Sequence, residues 1–93
     1  MIVSFRCAAT EQIYQGNQSP ELPAGIQKVA LRKLQQLNLA RNLADLRIPP
    51  GNRLEALRGD RHGQHSIRIN DQYRLCFAWT DHGVEDVEIL DYH

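Results

Sequence analysis

His65-Ser66-Ile67-Arg68-Ile69-Asn70-Asp71-Gln72-Tyr73-Arg74-Leu75-Cys76-Phe77-Ala78-Trp79 is the stretch whose pairing decides the fold. On either side of Asn70-Asp71-Gln72, apolar residues alternate with polar ones, the period of strands with one buried face. Two turn lengths fit. A two-residue loop at Asn70-Asp71 would set Ile67 beside Arg74 and mix apolar with charged side chains on each face. A three-residue loop at Asn70-Asp71-Gln72 sets Ile69 opposite Tyr73, Ile67 opposite Leu75 and Arg68 opposite Arg74. Register follows the buried face, so the three-residue loop is preferred.

Toward the C-terminus, Asp81-His82-Gly83 predicts a second three-residue loop, with Gly where a positive φ is needed. Val84 to Tyr92 then forms the last strand and sets Phe77 against Val87, Leu75 against Ile89 and Arg74 against Leu90. Leu75, Phe77, Trp79, Val87 and Ile89 share the face expected to pack on helices. The other face carries Arg68, Arg74, Leu90 and Tyr92, with Asp91 and His93 emerging at the strand end beside Tyr73. Arginines directly opposed on a sheet repel unless an anion lies near them, so this face is a candidate phosphate clamp.

Toward the N-terminus, Ile2 to Phe5 reads as a short first strand and Ala8 to Gln15 as a short helix stopped by Gly16. Pro23 suits the first turn of a longer helix, in which Ile26, Ala30, Leu34 and Leu37 recur on one stripe. That stripe reads as core. The helix fades at Ala40-Arg41, and Ile48-Pro49-Pro50-Gly51 is a stiff connector that cannot continue it. Leu54 and Leu57 suit a short strand before the turn at Gly59-Asp60-Arg61-His62-Gly63. Helices first and antiparallel strands afterwards predict an α+β fold, a short N-terminal strand and two helices on one face of a mostly antiparallel sheet. At 93 residues the chain is expected to form one domain over residues 1–93.

Composition narrows the classes. Hydrophobic residues make up 42% and charged residues 24%, as in folded globular chains rather than disordered ones. No apolar run approaches the roughly 20 residues of a membrane span, and the start lacks the pattern of a signal peptide. Cys7 and Cys76 form no disulfide framework, which points to a reducing cytoplasm. Net charge is zero but unevenly spread, with Arg47, Arg53, Arg58, Arg61, Arg68 and Arg74 set against Glu55, Asp60 and Asp71. Such a cluster suits either a phosphate-bearing partner or a solvated sheet face with ion pairs.

Other chemistry-bearing residues are weaker pointers. His62 and His65 supply two of the three or four convergent ligands a zinc site needs, so no metal or cofactor is expected. Cys76 has no accompanying base and reads as a small filler. Trp79 and Phe77 read as core, while Tyr73 could serve either the core or the charged face. Asp91-Tyr92-His93 alone is more often a frayed end than a site. Set beside the arginine face, it holds the parts for RNA cleavage: groups to take the 2′-hydroxyl proton and give one to the leaving 5′-oxygen. Tyr92 could donate a hydrogen bond or stack on a base, and cationic donors would stabilise the phosphorane.

The runs Pro50-Gly51-Asn52-Arg53-Leu54-Glu55-Ala56-Leu57-Arg58-Gly59-Asp60-Arg61, Gly63-Gln64-His65-Ser66-Ile67-Arg68-Ile69-Asn70-Asp71-Gln72-Tyr73-Arg74 and Val87-Glu88-Ile89-Leu90-Asp91-Tyr92-His93 closely resemble the HigB-type host-inhibition toxins of the RelE superfamily. The short strand and helices before them fit as well. The resemblance implies a type II toxin–antitoxin system with a helix-turn-helix antitoxin of the HigA kind, and through it operator DNA. It implies metal-free cutting of mRNA in the decoding site of the ribosome. Matching positions make Asp91, Tyr92 and His93 catalytic and Arg74 the phosphate stabiliser, with Arg58 replacing a basic residue after the short strand. Arg53, Arg61 and Arg68 would contact ribosomal or messenger RNA. Some relatives carry His where this chain has Glu55, a carboxylate able to serve as base or to orient a neighbour. Two other functions stay open: a ParE-like toxin that binds gyrase without cleaving, and a weakened toxin acting mainly through antitoxin and operator. Glu55 and the neutral charge motivate the latter.

Overall fold

β2 (Gln64–Arg68) and β3 (Tyr73–Thr80) pair antiparallel with Ile67 opposite Leu75 and Arg68 opposite Arg74, the register the apolar alternation predicts. Asn70 closes the loop between them, its Oδ1 accepting from the backbone N–H of Gln72 (2.9 Å) and Tyr73 (2.7 Å). An Asn side chain that bonds its own turn in this way favours the loop over a longer strand. These strands belong to a computed structural model of the chain that describes residues Met1–Asp91.

The sheet has the order β1-β2-β3-β4, with β1 at Glu55–Ala56 and β4 at Gly83–Asp91. Near its turn the second hairpin differs from expectation. Thr80 pairs with Gly83 across a two-residue turn, Asp81-His82, rather than a three-residue loop. The extra residue sits instead in a bulge between Cys76 and Ala78, where Asp86 takes a left-handed conformation at φ 55°. Past the bulge, Leu75 faces Ile89 and Arg74 faces Leu90, as predicted. A bulge adds one residue to one strand, so a short turn and a bulge together restore the register a longer turn would have set.

The N-terminal segment runs parallel to β4, bridging at Ile2 to Val84 and at Phe5 to Val87, without forming a continuous strand. The bulge is tied to it, since the Asp86 N–H donates to Ser4 Oγ at 2.9 Å. Gly83, at φ 133°, lies where an added Cβ would stand 2.6 Å from the Met1 carbonyl oxygen and 2.9 Å from Val3 Cγ1. Gly83→Ala should therefore lower stability by about 1–3 kcal/mol. Urea denaturation measures this directly; an unchanged midpoint would mean that the N-terminal segment does not pack here.

Two helices, α1 (Ala8–Tyr14) and α2 (Ala24–Leu39), cover one face of the sheet, giving the α+β architecture expected. The α2 stripe Ile26, Ala30, Leu34 and Leu37 is buried against Ile67, Leu75, Phe77, Val87 and Ile89. Burial of each large side chain there stabilises the fold by about 1.5–3 kcal/mol. α1 is also fixed by a hydrogen bond, from the Ile89 N–H to the fully buried Thr10 Oγ1 at 3.0 Å. Single turns of 3-10 helix at Leu43–Arg47 and Pro50–Asn52 lead from α2 to β1, and another at Gly59–Arg61 leads on to β2. The connector thus ends beside the face of the sheet turned away from the helices.

Candidate functional site

Glu55, Ser66, Cys76 and Glu88 stand directly opposite one another on successive strands and form one row across the sheet. Side chains alternate along a strand, so this row shares its face with Arg68, Arg74 and Leu90. The face is far less open than alternation suggests. Ser66 and Cys76 are fully buried, and Arg74 and Glu88 are nearly so.

A buried guanidinium needs partners, and Arg74 has them. Its Nε donates to Ser66 Oγ at 2.7 Å, and its Nη2 donates to the Arg53 carbonyl at 2.6 Å. Glu55 Oε1 lies 3.6 Å from Nε and is half exposed, so it offsets the charge without enclosing it. The guanidinium plane is thereby held between strand β2 and the connector. Arg68 faces Arg74 as the register requires but turns to Asp71, with which it forms an ion pair. The repulsion expected between the two arginines is relieved by separate carboxylates, Asp71 beside Arg68 and Glu55 beside Arg74.

Arg61 binds Glu88 at 2.8 Å and Gln64 Oε1 at 3.2 Å, and Arg6 approaches the same Glu88 carboxylate at 3.9 Å. Of the arginines expected to meet RNA, Arg61 and Arg68 are therefore engaged within the fold. Arg53 and Arg58 are exposed and enter none of the ion pairs found among the described residues. Asp91 ends β4 opposite Tyr73, one position from the Arg74–Leu90 pair, and its Oδ2 accepts from Gln72 Nε2 at 2.9 Å. Arg74 and Glu55 thus share the face turned from the helices, whereas Tyr73 and Asp91, one strand position along, belong to the opposite face, where Tyr73 packs against the core. Tyr92 and His93 lie outside the described residues.

Along the edge strand β1, a cleft of about 910 Å³ is bordered by Glu55, Arg58, His62 and His65. A second of about 380 Å³ adds Arg47 and Leu54, with Glu55, Ala56 and His65 common to both. Among the described residues no cluster of three or more His, Cys, Asp or Glu is arranged to hold a metal ion. His65 stacks on Phe77 with ring centroids 6.4 Å apart. Ser66 was missed by sequence reasoning, although a small polar residue across from Arg74's neighbour was a usable signal. Glu88 was missed for want of any.

Cys76, fully buried in this row, behaves as the filler expected. Burial pushes its thiol pKa up to about 11, against partial compensation by the Arg61 and Arg74 charges. The folded chain therefore holds the proton at pH 8, and iodoacetamide should modify Cys7 well before Cys76. Mass spectrometry of the alkylated protein reads the order; equal labelling of the folded chain would contradict this burial. Above pH 9 the unfolded chain ionises first, so this thiol favours unfolding as pH rises toward 11.

The comparisons with known proteins agree with this architecture. A family described as "RelE-like toxin of type II toxin-antitoxin system HigB" matches residues 3–93. Toxin HigB-1 of Vibrio cholerae serotype O1 is 45% identical over 94 aligned positions, covering 100% of this chain and 98% of the relative. Among solved structures, YafQ from E. coli strain BL21(DE3) superposes with a TM-score of 0.63 at 13% identity, covering 98% of this chain and 91% of YafQ. A chain of the YoeB–YefM complex from Staphylococcus aureus gives 0.60 at 21% identity, over 100% and 98% of the two chains. At these identities the structures speak for the fold alone.

Proposed function

Because the chain belongs to the HigB family of RelE-like toxins of type II toxin–antitoxin systems, we propose that it cuts messenger RNA in the decoding site of the ribosome without a metal. The observation that carries this reading is Arg74, held by Ser66 and Arg53 beside Glu55 and one strand position from Asp91. A preorganised cation of this kind costs no rearrangement when charge develops on a phosphorane.

The reaction needs one proton taken and one given. A base removes the proton of the 2′-hydroxyl, whose oxygen attacks the adjacent phosphorus. The bond to the 5′-oxygen breaks and that oxygen takes a proton, leaving a 2′,3′-cyclic phosphate and a 5′-hydroxyl. His93 exchanges protons near neutral pH, and Asp91 orients it or acts as the base. Tyr92 donates a hydrogen bond or stacks on a base. Glu55, 3.6 Å from Arg74, is the further carboxylate able to take or hold a proton. The exposed Arg53 and Arg58 supply contacts to RNA, and Tyr73, half-buried at the start of β3, adds a ring edge at the strand end. Arg61 and Arg68 contribute there only by leaving Glu88 and Asp71. Cleavage is silenced in the cytoplasm by a HigA-like helix-turn-helix antitoxin, through which the pair reaches operator DNA.

Purified protein added to ribosomes programmed with a defined message should cut within the decoding-site codon, equally well after the protein alone has been stripped with EDTA and desalted into the magnesium buffer the ribosomes need. Cutting lost on stripping and restored only by an added transition metal would rule out the metal-free route. Inhibition of gyrase with intact messages would instead favour a ParE-like toxin. The internal pairing of Arg61 and Arg68 favours a second reading, a weakened toxin acting mainly through antitoxin and operator. Overexpression without effect on growth or translation would support it.

A further inference from the structure

Asn52 is fully buried, and its amide is enclosed by polar partners from three segments. Its Oδ1 accepts from the Lys33 ammonium of α2. Its Nδ2 donates to the Leu46 carbonyl (3.1 Å) and to Gln36 Oε1 (3.2 Å), with the Ile48 carbonyl at 3.4 Å. A buried amide that merely filled space would be replaced at less desolvation cost by an apolar side chain, whereas a fully satisfied network fixes one backbone arrangement. The arrangement fixed here is the turn Pro50–Asn52 and the residue after it. Arg53 is left-handed at φ 46°, ψ 57°, a conformation uncommon outside glycine. In that conformation its carbonyl oxygen lies 2.6 Å from Arg74 Nη2.

We infer that Asn52 is a positioning residue for Arg74, acting through the backbone carbonyl of Arg53. Ser66 holds the guanidinium from β2, through Oγ on Nε at 2.7 Å and its carbonyl oxygen on Nη2 at 3.4 Å. The Arg53 carbonyl makes the shorter contact to Nη2, at 2.6 Å, and ties the guanidinium to the connector. Lys33 completes the hold from α2, where burial and the charges of Arg32 and Arg68 pull its pKa below the ordinary lysine value. The inference rests on Arg74 as the phosphate-stabilising group, and its test keeps placement and catalysis apart.

The placement is read from the Nε–H resonance of Arg74 in nitrogen-15 NMR spectra of the full chain, assigned by its loss in Arg74→Lys. Asn52→Ala should shift or broaden that resonance. It should also slow single-turnover cleavage on programmed ribosomes roughly 10- to 100-fold while ribosome affinity stays within about twofold. In the Arg74→Ala background, Asn52→Ala should cost nothing more, because a residue acting through Arg74 has nothing left to act on. An undisturbed Arg74 resonance in folded Asn52→Ala, or losses that add in the double variant, overturns the inference. If Asn52→Ala does not fold, Lys33→Met keeps the amide's other bonds and should give the same changes at smaller size; no change there overturns it equally. A moved resonance with Arg74→Ala cleaving at the wild-type rate would sink the catalytic reading of Arg74 and leave its placement standing.

Discussion

Arg74→Ala should reduce RNA cleavage by about 10²–10³-fold, the usual cost of removing one preorganised donor from a developing negative charge. Stability should fall as well. The substitution strips a nearly buried guanidinium from Ser66 Oγ and the Arg53 carbonyl, and each buried polar group left without a partner costs about 1–3 kcal/mol. Arg74→Lys separates the two effects. An ammonium keeps the charge but presents a single point, so it cannot bridge strand and connector as the guanidinium fork does. It should recover part of the stability and little of the rate. Single-turnover kinetics and urea denaturation on the same preparations decide this; a folded Arg74→Ala that cleaves as wild type would remove the arginine from the mechanism.

Ending the chain after Leu90 should abolish cleavage and growth arrest altogether, because Asp91, Tyr92 and His93 carry the proposed proton transfers. Residues that act as one unit lose nearly everything together. The fold should survive. Asp91 is exposed at the end of β4, past the Arg74–Leu90 pair, and the buried core lies within the strands that remain. Antitoxin binding by the truncated chain and its circular dichroism spectrum give the control. Persistent growth arrest from a folded truncation would place the activity elsewhere on the molecule.

The α+β architecture, the helix stripe, the first hairpin register and that of the second past its bulge were legible because each rests on local periodicity. Leu75 and Ile89 must share a buried face, and one register alone lets them do so together with Ile67. The turn and the bulge were not separable. Alternation counts residues between paired positions but does not say whether the extra one lies at Gly83 or at Asp86. The contact that absorbs it, Ser4 with Asp86, joins opposite ends of the chain. For the same reason the arginine face looked open. Its cover comes from the connector at Arg53 and from ion pairs of Arg6 and Arg61 with Glu88, none of which has a periodic signature. The Arg68–Asp71 pair was missed as well, although three residues across a turn place opposite charges in reach. The candidate chemistry was legible in residue types, and the hold on Arg74 was not.

Ribosome-dependent cutting of mRNA by this chain is tested most directly by mapping mRNA 5′ ends with ribosomes present, for the wild type and His93→Ala. New 5′-hydroxyl ends are expected within translated codons for the wild type, absent without ribosomes and absent for His93→Ala. Identical ends from both proteins, or none from either while growth still stops, would contradict it.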